Sequence, residues 1–228
     1  MPSRRHLLLY RIAWLRRNRC SLLLAWLCLL ILANPLFGPS LLGAKALRLG
    51  LLMILMLATW ALRAPGGVMR GAGALAVATA AIIMLVPGDG HWLRAVVHGM
   101  TAVFNGLVTV ALLRYVLDAR VITTDKVFGA VAAYVLIALT FACLFSLLQY
   151  IEGDAFHMAR VNNPDGLLSW SDVMYFSFTV LTSTGFGEIT PVTDMARSLI
   201  VIEQVLGVMY VAFLVARLAN LYGLRHQR

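Results

Sequence analysis

The sequence predicts an all-α membrane protein with about six membrane-spanning helices and one short re-entrant helix. Three observations carry that prediction. Of the 228 residues, 61% are hydrophobic and only 13% charged, with a mean hydropathy of +0.85; this leaves too little polar surface to coat a soluble globule of that size. The apolar residues fall in long runs, and the basic residues gather at the ends of those runs. Near the C-terminal end, Thr182-Ser183-Thr184-Gly185-Phe186-Gly187-Glu188 sets two glycines around an aromatic between apolar runs. Open backbone at membrane depth survives only where protein buries it or where it lines a water-filled cavity, and glycines there can take positive φ.

In chain order, residues 1–20 carry Arg4, Arg5, Arg11, Arg16, Arg17 and Arg19 among apolar residues and read as a basic interfacial helix. It leads into a first span, 21–33, ended by Asn34-Pro35 and Gly38-Pro39. A basic head before an apolar run also has the form of a secretory signal; the long basic part and the later spans argue against cleavage. The second span, 41–62, holds Lys45 and Arg48 near its outer end, where long stems let the charges snorkel. Arg63 and Arg70 bracket a basic loop at Ala64-Pro65-Gly66-Gly67. In the third span, 71–86, small residues recur at Ala72, Ala76 and Ala80, a spacing that lets helices approach closely in lipid. Pro87-Gly88-Asp89-Gly90 is a turn.

The fourth span, 91–117, bears a polar stripe of Arg94, His98, Thr101, Asn105 and Thr109. Steps of three and four residues place these on one face, which should look into protein rather than lipid. Interhelical hydrogen bonding is the plainer reading, and a proton or ligand site at His98 the other. Thr123-Thr124-Asp125 can cap the next helix, whose span, 127–150, is nearly uncharged. The polar loop 152–169 has turn chemistry at Asn162-Asn163-Pro164-Asp165-Gly166. Next comes a short amphipathic run, 171–181, with Ser171 and Asp172 as its caps. The last span, 193–222, starts at Thr193-Asp194 and leads to a basic tail, 223–228, too short to form a domain.

The net charge of +9 does not point to nucleic acid, because the basic residues flank apolar runs. That placement suits the positive-inside rule and anionic lipid headgroups, and an even number of spans puts both termini in the cytoplasm. Cys20, Cys28 and Cys143 are odd in number, lie in or beside apolar helices, and read as small core residues.

The stretch 182–188 has a short helix before it, Pro191 after it and a span on each side. It resembles the signature of the potassium-channel pore-loop superfamily, T-x-G-[YF]-G-[DE], and the resemblance extends over residues 125–222. The likeness is to a prokaryotic-type six-span, single-pore channel without a voltage-sensing arginine array, which implies a bacterial inner membrane. It implies a four-helix domain at 21–117, a cytoplasmic linker at 118–126, and a pore domain at 127–222 made of outer helix, pore helix, filter and inner helix. The selectivity filter would be Thr182, Ser183, Thr184, Gly185, Phe186 and Gly187. Carbonyls of Ser183, Thr184, Gly185 and Phe186, with the Ser183 hydroxyl, would hold K⁺, and Glu188 would concentrate cations at the mouth. Permeant potassium is then the ligand, with no cofactor. One chain supplies one strand, so a closed ring of carbonyls implies a homotetramer.

Ser183 and Thr184 depart from the family's threonine and usual apolar β-branched residue, while Phe186 stands for the commoner tyrosine and Glu188 for aspartate. A weakly selective sodium/potassium channel is therefore the alternative to a potassium-selective one, and a pore-loop transporter subunit a further one. An intramembrane enzyme is disfavoured, since Ser183 has no histidine near it in sequence. Tyr175 and Phe176 would pack behind the filter as a cuff. Glu203 lies inside the last span, where a carboxyl needs a partner or its proton; Thr179 is the candidate partner. Gly207 suits either a hinge or close helix packing, and both Glu203 and Gly207 are candidate gating residues.

Overall fold

The computed structural model describes residues 18–37, 41–61, 66–85, 90–117, 123–159 and 168–225. These form α1 (Arg19–Phe37), α2 (Leu41–Ala61), α3 (Gly66–Leu85), α4 (His91–Leu117), α5 (Thr124–Glu152), β1 (Phe156–Met158), α6 (Trp170–Leu181), β2 (Ile189–Pro191) and α7 (Asp194–Arg225). Among the described residues, Arg19–Leu36, Trp92–Leu117, Thr124–Glu152 and Asp194–Arg217 are long and apolar enough to cross a membrane, and Met69–Met84 is a shorter apolar helix. The expected basic helix before residue 18, Gly38-Pro39, Arg63 to Pro65, Pro87-Gly88-Asp89, the linker 118–122, the Asn162 to Gly166 turn and the tail 226–228 lie outside the described residues.

Several boundaries differ from the expectation. Pro35 lies inside α1 rather than ending it; in a final turn its missing N–H removes a single bond before the helix stops at Phe37. Gly66 and Gly67 open α3 instead of forming a loop, at positions whose N–H groups have no intrahelical partner in any sequence. α7 absorbs Gly223 to Arg225, which read as tail. The loop 152–169 contains β1, which pairs antiparallel with β2, Phe156 opposite Pro191 and Met158 opposite Ile189. Strands of three residues are too short to show an alternating pattern.

The chain divides into two compact units, Met1–Ala80 with Leu107–Ala133, and Ala81–Gly106 with Tyr134–Arg228. In the first, α1 packs against α2, with Leu30 and Trp26 of the one beside Gly50 of the other; Cys20, Leu23 and Leu27 of α1 and Leu52 and Leu55 of α2 are buried. Cys28, one residue on from Leu27, is turned about 100° away from the buried face and is exposed, contrary to its reading as a core residue; Cys20 and Cys143 are buried as expected. Ala72 and Ala76 are buried and Ala80 is half-buried, so the small-residue stripe of α3 does face its neighbours. Asp125, read from sequence as a cap for its own helix, serves another one. Its Oδ1 accepts the Cys20 N–H at the start of α1 at 2.9 Å, and its Oδ2 lies 3.4 Å from the Tyr115 hydroxyl. The first turn of α5 bonds instead to the Thr123 carbonyl, through Lys126 and Val127 N–H. Arg19 and Lys126 each lie 5.5 Å from the centre of the Tyr115 ring, one cation from each helix.

The second unit is built on an aromatic triad. Phe145 of α5, Phe156 of β1 and Phe176 of α6 have ring centres 5.3, 5.4 and 5.5 Å apart, in the tilted and edge-on arrangements that ring quadrupoles favour. Val173, Val180, Ile189 and Ala196 complete that core. His98 is buried between the rings of Tyr150 and Trp170, at 5.6 and 5.5 Å. Asn105 is buried too, as is Thr109 in the first unit, whereas Arg94 is exposed and Thr101, half-buried, turns its hydroxyl back to the Val97 carbonyl. The polar stripe of α4 thus looks inward over most of its length.

Asp125→Ala should lower the stability of the detergent-solubilised protein by about 1 kcal/mol, the usual cost of losing a helix cap, while Asp125→Asn keeps most of it. Thermal unfolding of the two variants side by side checks this.

Candidate pore segment

α6 begins with a capping box. Ser169 Oγ accepts the Asp172 N–H at 3.2 Å, and Asp172 Oδ2 accepts the Ser169 N–H at 2.8 Å. The cap is therefore Ser169, not Ser171; Asp172 fills the third helical position, where a carboxylate can reach back. After twelve residues the helix stops at Leu181.

The residues beyond the helix keep their N–H groups turned back toward it. Thr182 N–H bonds to the Phe178 carbonyl at 3.1 Å, Ser183 N–H to Val180 at 2.9 Å, and Thr184 and Gly185 N–H to Thr179 at 2.9 and 3.2 Å. Thr182 also donates its hydroxyl to the Phe178 carbonyl at 2.7 Å, so the 2.8 Å contact between the Thr182 and Thr184 hydroxyls uses the Thr184 proton. Ser183, Gly185 and Gly187 have φ of +56°, +54° and +80°, while Thr184 and Phe186 between them are not positive. In an ordinary strand successive peptide planes alternate sides. Alternating the sign of φ turns every second plane over, so that successive carbonyls can fall on one side. Glycine takes this conformation freely. Ser183 takes it at a cost of about 1 kcal/mol, offset by its bond to Val180. Thr182 to Glu188 are all exposed in the single chain.

Phe186 stacks on Tyr175 with ring centres 6.2 Å apart and planes 5° from parallel. Desolvation first, then the Glu188 carboxylate, raise the pKa of the Tyr175 phenol. Phe176, expected as the second half of the cuff, belongs to the aromatic triad instead: neighbours on a helix are turned by about 100° and cannot share a face.

Behind the segment, three helices meet in register. The Leu181 carbonyl, at the end of α6, accepts the Tyr134 hydroxyl of α5 at 3.1 Å. Gly207 of α7 also lies against it, where a methyl would overlap the Leu181 oxygen and stand 3.0 Å from its carbonyl carbon. One turn earlier on α6, Ser177 Oγ lies 2.7 Å from the Ala138 carbonyl of α5 and 2.5 Å from Glu203 Oε1 of α7. Thr179 is not the partner of Glu203; its hydroxyl bonds to the Phe176 carbonyl at 2.8 Å. The outer end is tied separately. Thr193 accepts the Ala196 N–H, capping α7 as expected, and donates to Glu152 at 2.6 Å; Gln149 bonds to both Gly153 and Phe156. Sequence reasoning did not single out Tyr134, Gln149, Glu152 or Ser177, and no motif marks them.

Residues 133–223 match a protein-family model described as an ion channel. The matched stretch holds most of α5, all of α6, the 182–188 segment and nearly all of α7, and it indicates an ion-channel pore domain there. With the long apolar helices it indicates a multi-pass membrane protein. No curated protein matches the chain.

Gly207→Ala separates close packing from a hinge by sign. At an unconstrained mid-helix glycine, alanine adds about 1 kcal/mol of stability. Against the Leu181 carbonyl it should instead cost about 1–3 kcal/mol, as overpacking does. Thermal unfolding of the purified variant reads the sign directly.

Proposed function

We propose that the chain is the subunit of a homotetrameric, potassium-selective channel that conducts passively. The observation that carries this reading is the alternation of φ sign through Ser183, Gly185 and Gly187, at the end of a short helix within the stretch that matches ion-channel pores. Carbonyls of Ser183, Thr184, Gly185 and Phe186 on one side of the strand would replace part of the hydration shell of K⁺. One strand cannot surround an ion, and four around an axis close the ring. The C-terminal end of α6 adds partial negative charge, which favours a cation by up to about 1 kcal/mol where exposed, and Glu188 gathers cations at the mouth. The apolar residues of α7 exposed in the single chain, among them Val201, Leu206, Val208 and Phe213, supply surface for neighbouring subunits and lipid. The six-span arrangement with cytoplasmic termini, anionic lipid at the basic ends and a bacterial inner membrane belong to the same reading.

A weakly selective cation channel is the second reading. Phe186 has no hydroxyl with which to brace the strand and is 67% exposed, held by a ring stack alone. Reconstitution into bilayers decides between them. The expected result is unitary currents whose reversal potential follows the potassium gradient, from a protein whose native mass is four chains. A reversal potential that follows sodium equally supports the second reading, flux without unitary steps supports a transporter subunit, and a monomer or dimer removes the tetramer.

Voltage should gate the channel only shallowly. Each elementary charge crossing the membrane field yields about 2.3 kcal/mol per 100 mV, so a steep sensor needs several charges on one helix. α4 has Arg94 near one end and Arg114 near the other, and Asp89 is the one acidic residue before Leu117 in the sequence. A conductance–voltage curve in symmetric potassium should be nearly flat; steep gating that is lost on neutralising Arg94 or Arg114 would refute this.

A further inference from the structure

Ser177, Glu203 and the Ala138 carbonyl meet where α5, α6 and α7 pack, and all three residues are fully buried. Ser177 Oγ is at hydrogen-bond distance from two oxygens, the Ala138 carbonyl at 2.7 Å and Glu203 Oε1 at 2.5 Å. A hydroxyl has one proton. The Ala138 carbonyl has none to give, so the bond to it uses the Ser177 proton. The contact with Oε1 is then a hydrogen bond only if the proton comes from Glu203. With Glu203 ionised, the serine could donate to one of the two oxygens, and the other would face Oγ with no hydrogen between them. The second carboxyl oxygen, Oε2, is buried with no hydrogen-bond partner. A carbonyl oxygen tolerates that position far better than half of a carboxylate would.

We propose that Glu203 is a positioning residue held as a neutral carboxylic acid, donating to Ser177 Oγ, which in turn donates to the Ala138 carbonyl. This proton-ordered relay clamps the inner helix and the outer helix to the pore helix one turn from Leu181, where the strand begins. It deepens the reading of 182–188 as a filter and rests on that reading only for its consequence, that the clamp holds the strand in its conducting shape. Glu203 touches no ion. Its proton matters, and its charge would be a fault.

The test pairs infrared spectroscopy with bilayer recording on the purified full chain. The wild type should show the carbonyl stretch of a protonated carboxyl that Glu203→Gln removes; carbon-13 labelling of glutamate assigns the band in the wild type should the variant fail to assemble. Glu203→Gln, whose amide can donate to Ser177 in the same sense, should keep open probability and ion preference near wild type. Ser177→Ala and Glu203→Ala, which each break the relay, should lower open probability by roughly tenfold, the scale of one lost buried hydrogen bond. Absence of the protonated-carboxyl band overturns the proposal, as does a Glu203→Gln protein that assembles yet behaves like Glu203→Ala. A wild type without cation currents that still shows the band would sink the channel reading and leave the neutral acid standing.

Discussion

The carbonyl oxygen of Leu181 is the last acceptor of α6, and two neighbours meet it, the Tyr134 hydroxyl and the close approach of Gly207. The open segment starts one residue later, so this atom sets where the segment begins. A second set of contacts one turn away repeats the arrangement, with Ser177 between Ala138 and Glu203. On each of the three helices the two contact residues are four positions apart: 134 and 138, 177 and 181, 203 and 207. A spacing of four keeps both on one helical face. α6 is thereby pinned at two levels, and a slip of any one helix would break both together.

That pinning is what permits the conformation of the segment. Left-handed backbone at a serine and an exposed irregular segment are both unfavourable in isolation. They persist because the N–H groups of Thr182 to Gly185 are satisfied by carbonyls of α6 and because α6 itself is tied to α5 and α7. At the far end the Phe145, Phe156 and Phe176 rings bring α5, β1 of the antiparallel β1–β2 pair and α6 together. Polar ties at Glu152, Thr193 and Gln149 then fix the return of the chain into α7.

In the first unit the same economy uses charge. One carboxylate, Asp125, satisfies a helix start that is 105 residues away in the chain, and the cations of Arg19 and Lys126 flank the Tyr115 ring beside it. Small residues do the rest. A side chain on Gly129 would stand 3.1 Å from the Cys20 sulfur, so α1 and α5 approach there at nearly backbone distance.

The sequence by itself determined what composition and local pattern can determine. Apolar runs located the helices to within a few residues, because in lipid the backbone must satisfy itself and helices are the way to do so. The 3–4 spacing of His98, Asn105 and Thr109 identified the inward face of α4, and Gly185 and Gly187 marked the positive-φ positions, since few other residues can occupy them. The tertiary structure decided the partnerships. Glu203 chose Ser177 over Thr179, Asp125 capped α1 instead of α5, Phe176 left the cuff for the core, and Gly207 came to lie against the Leu181 carbonyl. Each of these depends on which faces of two distant helices meet and at what height. A contact between residues 26 or 105 positions apart leaves no periodic trace in the sequence of either partner.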